Sequence, residues 1–365
     1  MQKLQHIVNH DILDCSSNDS LEKVLGVYHY SGRVLGSTKP NDILQLNSEL
    51  KPHWSWIVAH YKAARISHSR KIIWDDTFNI MTDFPTYEPS VFFFGDRANK
   101  ARPNQEWHSI VQKMNSKNEF IQMCVRLNIP TPETWCYESK SEIDIEIDFP
   151  FPVYLKIAVS VSGLGVIKCE NRVDLERELA RIEENIPMQI QKGVNALTFL
   201  NLQYRMGDKL ERIIATEQVL KGCCHVGNAY PTKYQPWHMT DDIAVEMVCA
   251  GMRGYFAFDI AVCKEGDKVR YYAIECNQRF NCSSYPTNIA AKLGIQKWVA
   301  KKMITACDNF SNIDLGELQY TPEKRTGVVV VNWGSIMEKE IGVMLIAESD
   351  IKQQKLEDQL MQILQ

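Results

Sequence analysis

Asp259, Glu275, Asn277 and Arg279 are polar residues set in an apolar stretch. Phe256, Phe258 and Ile260 flank the first, and Tyr272, Ala273 and Ile274 precede the others. Residues two apart on a strand point the same way, so Glu275 and Asn277 share a face. Tyr255 to Cys263 and Val269 to Cys276 read as two strands joined by Lys264-Glu265-Gly266-Asp267, a hairpin signal that brings Asp259 beside that pair. Two carboxylates and an amide oxygen are hard oxygen donors, suited to magnesium that is shared with phosphate groups. Arg279 can face the same charge. Acids among apolar strand residues are costly unless paired or metal-bound. The plainer alternative is a polar hairpin edge turned to solvent.

A second set surrounds Lys156. Val153, Leu155 and Ile157 alternate, which turns Tyr154 and Lys156 to the opposite face. The loop Ser160-Val161-Ser162-Gly163-Leu164-Gly165 follows. Backbone N–H groups at Ser160, Ser162, Gly163 and Gly165 can wrap phosphate oxygens, with Lys156 as a point charge. The spacing is neither Gly-x-x-x-x-Gly-Lys-Ser/Thr nor Gly-x-Gly-x-x-Gly, and a plain hairpin turn is the alternative. Lys117 lies in the first turn of a helix opened by the capping box Ser116-Lys117-Asn118-Glu119. A lysine there opposes the helix dipole, which suits it to an anion; an exposed lysine is the other reading.

The elements that must carry these residues are legible in part. Val91 to Phe94 reads as a buried strand closed by Gly95-Asp96, and a helix follows from Gln105. The helix after Ser116 carries Phe120, Met123, Cys124 and Leu127 at helical spacing and stops at Asn128 and Pro130. Val173, Leu175, Leu179 and Ile182 mark an amphipathic helix, and Met188 to Gln191 a short strand. Thr198 to Gln203 and Arg212 to Val219 read as strands. Lys221 to Gln235 reads as a loop, in which His225 is a candidate base or an ordinary loop residue. Thr240 is a candidate cap for a helix through Ile243, Ala244 and Met247. Thr287 to Thr305 reads as one helix, Gly327 to Asn332 and Ile341 to Ala347 as strands, and Ser349 as the cap of a closing helix. Hairpins mixed with crossover helices define an α+β pattern.

The whole chain is 365 residues, 45% hydrophobic and 24% charged, with a net charge of −4. That length suits two or three domains. A basic nucleic-acid face is not evident, and no apolar run approaches the roughly 20 residues that span a membrane. The 11 cysteines are odd in number, with no Cys-x-x-Cys pair, and the first residues do not read as a signal peptide. Reduced thiols in a cytoplasmic protein are the expectation.

In order, these motifs resemble the ATP-grasp superfamily over roughly residues 110 to 295. They are Ser116-Lys117-Asn118 before a helix ending in Ile129-Pro-Thr-Pro132, then Pro152-Val-Tyr-Leu-Lys156 with its glycine loop. Ile190-Gln191-Lys192-Gly193-Val194, Tyr255-Phe-Ala-Phe-Asp259 and Ala273-Ile-Glu275-Cys-Asn277-Gln-Arg279 complete the set. The resemblance implies an α+β ATP-grasp fold, two α+β subdomains gripping ATP, preceded by an α/β pre-ATP-grasp domain. The implied divisions are 1–112, 113–197 for the small lid subdomain, and 198–365 for the large subdomain with the metal site. It implies that Lys117 and Lys156 contact the phosphates of ATP and that the loop from Ser160 to Gly165 folds over them. Gln191, Lys192 and Val194 would frame adenine. Asp259, Glu275 and Asn277 would hold Mg2+, and Arg279, with Lys156, would steady the transferring phosphoryl group.

Three departures qualify the likeness. Gln191 stands where an acid is usual, and no acid lies between Asn195 and Thr198, where many members bind the ribose. Ala257 stands where D-alanine ligases carry an arginine, which leaves Arg205 and Arg253 as candidates for binding substrate. The implied activity is ATP- and magnesium-dependent ligation of a carboxylate to an amine through an acyl phosphate, with ADP as product. The substrates would be small molecules of amino-acid or peptide natural-product metabolism, with neither nucleic acid nor membrane involved and a homodimer as one option. The alternatives are a non-catalytic ATP-binding scaffold or sensor, a kinase, or a carboxylase, although no carrier-lysine signal supports the last.

Overall fold

The computed structural model describes residues 5–12, 15, 27–75, 77–160, 165–222 and 224–365. Its strands form three sheets. The first takes β1 (His6–Asn9), β2 (Ile43–Gln45), α1 (Trp54–Ala63), β3 (Lys71–Ile73) and β4 (Glu88–Val91). Its strands are all parallel, in the order β3-β2-β1-β4. Phe92, Phe93 and Phe94 are buried, but strand pairing stops at Val91. The aromatic run expected as a strand is therefore mostly the buried continuation of β4.

Three helices lead out of this sheet: α2 (Asp96–Ala101), α3 (Gln105–Met114) and α4 (Lys117–Arg126). Asn104 caps α3 by accepting from Trp107 N at 3.1 Å. Ser116 caps α4 by accepting from Glu119 N at 3.5 Å. Asn128 ends it in a left-handed conformation, φ 56°, just before Pro130. Asparagine tolerates that region better than most residues.

The second sheet comprises β5 (Thr134–Tyr137), β6 (Val153–Ile157), β7 (Val166–Cys169) and β8 (Met188–Lys192), with α5 (Arg172–Leu179) between the last two. It is antiparallel, in the order β5-β8-β6-β7. Val153 and Leu155 point into a core of their own with Leu175, Leu179, Met188 and Ile190. Val173, expected on the apolar face of that helix, is instead 70% exposed. It falls in the first turn, two residues after the Asn171 cap.

The third sheet is assembled from β9 (Ala196–Met206), β10 (Leu210–Lys221), β11 (Cys224–Tyr230), β12 (Gly254–Glu265), β13 (Lys268–Asn277), β14 (Trp298–Ile304), β15 (Gly327–Asn332) and β16 (Glu340–Ile346). Their order is β13-β12-β9-β10-β11-β14-β16-β15. The helices α6 (Trp237–Cys249), α7 (Ser284–Leu293) and α8 (Asp350–Leu364) accompany it. Ser349 caps α8, accepting from Lys352 N at 3.3 Å.

Three expectations for this part are corrected. The middle of the expected loop from Lys221 to Gln235 is β11, because its backbone is paired on both sides, by β10 and β14. Thr240 lies inside α6, where its hydroxyl meets Tyr204 Oη at 2.6 Å. The expected helix from Thr287 to Thr305 stops at Gly294, whose φ of 67° is left-handed, and β14 follows. Trp298, Ala300 and Met303 are buried there with more open neighbours between, closer to a strand's alternation than to a helical stripe.

The first and third sheets share one core, whereas the second has its own. His60 on α1 shows the join: its Nε2 accepts from Val330 N on β15 at 2.9 Å. The chain is thus α+β, with a parallel α/β unit in front. Among the described residues, no helix is long and apolar enough to cross a membrane.

Candidate active site

One face of the third sheet is polar because its register aligns polar residues strand after strand. Asp259 on β12 stands opposite Glu275 on β13, and Ala257 opposite Asn277. On the other side Asn201 of β9 faces Asp259, and Thr216 of β10 faces Asn201. The intervening Phe256 and Phe258 point into the core. Asp259 accepts from Asn201 Nδ2 at 2.6 Å and from Asn277 Nδ2 at 3.1 Å. Ser283 Oγ and Asn281 Nδ2 each donate to Asn201 Oδ1 at 3.1 Å, holding that amide in place.

The two acids are unequal. Removal from water and then the charge of Glu275 push the Asp259 carboxyl up to about 6. Glu275 is also penalised by desolvation, but Lys117, Arg279 and Lys156 together outweigh that and hold it below its ordinary value. The pair therefore has one firmly ionised member and one whose ionisation a nearby cation would favour.

The start of α4 and the second sheet supply the facing groups. Lys117 is 4% exposed; its Nζ donates to Ser160 Oγ at 3.0 Å and lies 3.4 Å from Glu275 Oε1. Its backbone N–H donates to Ala158 O at 2.8 Å, which pins the start of α4 to the end of β6. Lys156 is also buried, and its Nζ donates to Gln191 Oε1 at 2.6 Å. The register sets Lys156 opposite Gln189 and Tyr154 opposite Gln191, so the long lysine reaches its diagonal neighbour. Gln191 Nε2 in turn donates to Thr134 Oγ1 at 2.9 Å. Lys192 is exposed, 3.9 Å from Glu133, and Val194 is half-buried beyond it. Ser162 and Gly163 lie outside the described residues. Gly165 has φ 73°, and its carbonyl accepts from Ile157 N at 2.9 Å.

Two arginines meet over Phe92, just past β4. The guanidinium of Arg279 lies 5.6 Å from the ring centroid and that of Arg33 4.2 Å. Arg33 is 5% exposed, and its Nε and Nη2, like Nε of Arg279, have no hydrogen-bond partner. Nothing near Arg33 in the sequence singles it out. Arg205, by contrast, is tied to Glu211 at 2.5 Å, four residues along β9 from Asn201. Arg253 is exposed. Neither joins the Phe92 pair.

His225 sits on β11 rather than in a loop, and its Nε2 donates to Asn228 Oδ1 at 2.8 Å. Sequence reasoning missed Arg33 because the rings it meets, Phe92 and Tyr285 among them, lie far away in the chain.

Among the described residues, no three His, Cys, Asp or Glu side chains gather as a metal-binding group. The polar face offers two acids plus Asn277, which fits a cation that takes its remaining ligands from phosphate and water. Asn277 here turns Nδ2 to Asp259, so its oxygen reaches a cation only after the amide turns over. The elevated Asp259 carboxyl, pressed by Glu275, fits the same group, since a divalent cation relieves that repulsion.

No protein-family model matches the sequence, and no curated protein does. Solved structures do. N5-carboxyaminoimidazole synthetase from Staphylococcus aureus is similar over 99% of this chain and 98% of its own, at TM-score 0.58 and 11% identity. The same enzyme complexed with ADP aligns over 82% and 87%, at TM-score 0.57 and 12% identity. Carboxyaminoimidazole ribonucleotide synthase from Aspergillus clavatus complexed with ATP aligns over 80% and 79%, at TM-score 0.53 and 12% identity. The chain has the ATP-grasp fold. The likeness is one of architecture, and the side chains of the site are this protein's own.

Proposed function

We propose that this protein is an ATP- and magnesium-dependent ligase that joins a carboxylate to an amine, forming an amide through an acyl phosphate and releasing ADP and phosphate. The observation that carries this reading is the Asp259–Glu275 pair, opposed across a hairpin and faced by Lys117. Residues 1–112 would serve as the preceding domain, 113–197 as the lid and 198–365 as the large subdomain. The small-molecule substrates would be an amino acid or peptide and its partner amine, in the cytoplasm, with a homodimer as the assembly to test.

Magnesium held by Asp259, Glu275 and Asn277 would supply positive charge to the phosphates. Lys117 and Lys156 bind the phosphate oxygens, while the loop closed by Gly165 covers them. Gln191, Lys192 and Val194 frame the base. Arg33 and Arg279 receive the substrate carboxylate with their unpartnered N–H groups, in a fork geometry that matches it. A carboxylate oxygen attacks the γ-phosphorus; the new O–P bond forms as the bond to the β-phosphate oxygen breaks. The chain contributes position and charge neutralisation to that step.

The test is ADP release from ATP and magnesium with a pool of amino acids as carboxylates and amines. Release that needs both, and is lost in Glu275→Gln, supports the ligase. ATP binding with no turnover, unchanged by Glu275→Gln, would leave a nucleotide-binding scaffold instead.

A further inference from the structure

We propose that the acid this protein activates is an α-amino acid bound as its zwitterion, with Gln203 as the residue that holds the ammonium group. The proposal rests on the ligase reading for the carboxylate on Arg33 and Arg279, and it gives that substrate a second anchor. Gln203 lies on β9 and is 1% exposed. Its Nε2 donates to Ser283 Oγ, whereas its Oε1 is buried without a hydrogen-bond partner.

Turning the amide over would not relieve that oxygen, because the bonds around it fix its polarity. Asp259 accepts from Asn201 Nδ2 at 2.6 Å, which sets Asn201 Oδ1 on the other side. A backbone group sets the same orientation from the opposite end. Ser283 N donates to Asn281 Oδ1 at 3.0 Å, so Asn281 presents Nδ2, which donates to Asn201 Oδ1 at 3.1 Å. Ser283 Oγ also donates to Asn201 Oδ1 at 3.1 Å and uses its only proton there. Towards Gln203 the serine oxygen can then only accept. Gln203 must present Nε2, and Oε1 is left as a bare acceptor. A carboxylate at one end and a main-chain N–H at the other thus orient every side chain between them.

The acceptor and the arginine donors meet at the start of α7. Ser283, which holds Gln203, directly precedes that helix. Tyr285, in its first turn, has its ring 4.8 Å from the Arg33 guanidinium. On the sheet, Gln203 stands opposite Ala257 and Ala257 opposite Asn277, so only a methyl side chain separates Gln203 from the end of β13, which leads to Arg279. Arg33 Nε and Nη2 and Arg279 Nε are donors without partners, and Gln203 Oε1 is an acceptor without one. They do not satisfy one another. Buried polar groups are nearly always hydrogen-bonded, so unpaired groups of both kinds around one helix start call for a ligand that brings an acceptor and a donor together. An α-amino acid does so: its carboxylate accepts from the guanidinium groups, and the adjacent ammonium donates to the amide oxygen. Thr287 lies four residues after Ser283, on the same face of α7, and its unpartnered hydroxyl oxygen gives the ammonium a second acceptor. A neutral amide suits the task, since a carboxylate in place of Gln203 would compete with the substrate for the arginines.

Calorimetric titration of the full-length protein, with ADP and magnesium present, tests this. Each common amino acid is compared with the acid that lacks its amino group: glycine with acetate, alanine with propionate, and so on through the set. The expected result is at least one amino acid bound about 10- to 100-fold more tightly than its desamino counterpart. In Gln203→Met that preference should fall to about threefold or less, with the affinity for the desamino acid kept. A glutamine that served only the fold would weaken both ligands alike and leave their ratio unchanged. The wild-type comparison needs no variant, so it decides the matter even where Gln203→Met does not fold. No binding of any common amino acid, a desamino acid bound as tightly as its amino acid, or a Gln203→Met protein that keeps the preference would overturn the proposal. ADP release from ATP, measured with the same pairs, separates it from the ligase reading. Preferential binding of an amino acid without amino-acid-dependent ADP release removes the ligase reading alone. ADP release that is as fast with the desamino acid removes the ammonium subsite alone.

Discussion

Lys117 Nζ lies 3.4 Å from Glu275 Oε1 and donates to Ser160 Oγ at 3.0 Å. One ammonium thus connects the start of a helix, the edge of a glycine loop and the outer strand of the acidic hairpin. A cation in the first turn of α4 is set against the helix dipole, and the carboxylate of Glu275 offsets that cost.

Replacing Lys117 by Met should separate its two roles. ATP affinity should fall about 10- to 100-fold as a phosphate contact is lost. Stability should fall by about 1–3 kcal/mol, because Glu275 is left without its closest cation. Calorimetric titration and urea unfolding measure the two. Unchanged ATP affinity would take Lys117 out of the site.

Asp259→Asn should move stability and metal response in opposite directions. The raised carboxyl pKa of about 6 means that the folded state holds its proton more tightly than the unfolded state does. Stability contributed by the group therefore declines as pH rises from its unfolded value towards 6 and stays lower above that. The neutral amide escapes this penalty. Without magnesium, the variant should be more stable than the wild type by about 1–2 kcal/mol at pH 7.5, after allowance for solvent screening. The gap should close near pH 4. Magnesium with ATP should raise the melting temperature of the wild type and not of the variant. A variant that is destabilised at pH 7.5, or that still responds to magnesium with ATP, would contradict the assignment.

Gly165→Ala tests the loop. Gly165 has φ 73°, and a Cβ there would stand 2.9 Å from Ile157 Cγ1. The substitution should cost about 1–2 kcal/mol and weaken ATP binding, since an alanine held left-handed is strained and its Cβ crowds Ile157 at the end of β6. A thermal melt and a nucleotide titration suffice, and an unperturbed variant would take Gly165 out of the site.

Arg33→Met should raise KM for the carboxylate about 100-fold while leaving ATP affinity unchanged, as expected if it binds the acyl substrate. Arg33→Lys should rescue poorly, because a point charge cannot reproduce the planar fork over Phe92. Steady-state kinetics with the carboxylate varied provides the measurement. Equal losses for both substrates would place Arg33 in folding rather than in binding.

Periodicity and local chemistry carried far in this chain. The two-residue spacing of Glu275 and Asn277 put them on one face, and the hairpin, which turns at Gly266 and Asp267, brought Asp259 against Glu275. The alternation of Val153, Leu155 and Ile157 buried two of the three in the second sheet's core. Ser116 and Ser349 were readable as caps, since an N-cap is a bond between residues three apart. All of these depend on near neighbours, whose geometry the backbone dictates.

Tertiary structure decided the rest. Trp298 to Ile304 has an apolar pattern that suits a helix or a strand, and pairing with β11 and β16 settles it as a strand. Pairing does the same for His225, which comes out of an expected loop onto β11. The meeting of Arg33 with Arg279 over Phe92 joins segments far apart in the chain. No local preference encodes such meetings. They arise when sheets with separate hydrogen-bond registers are packed together, and that packing determines which buried charges find partners.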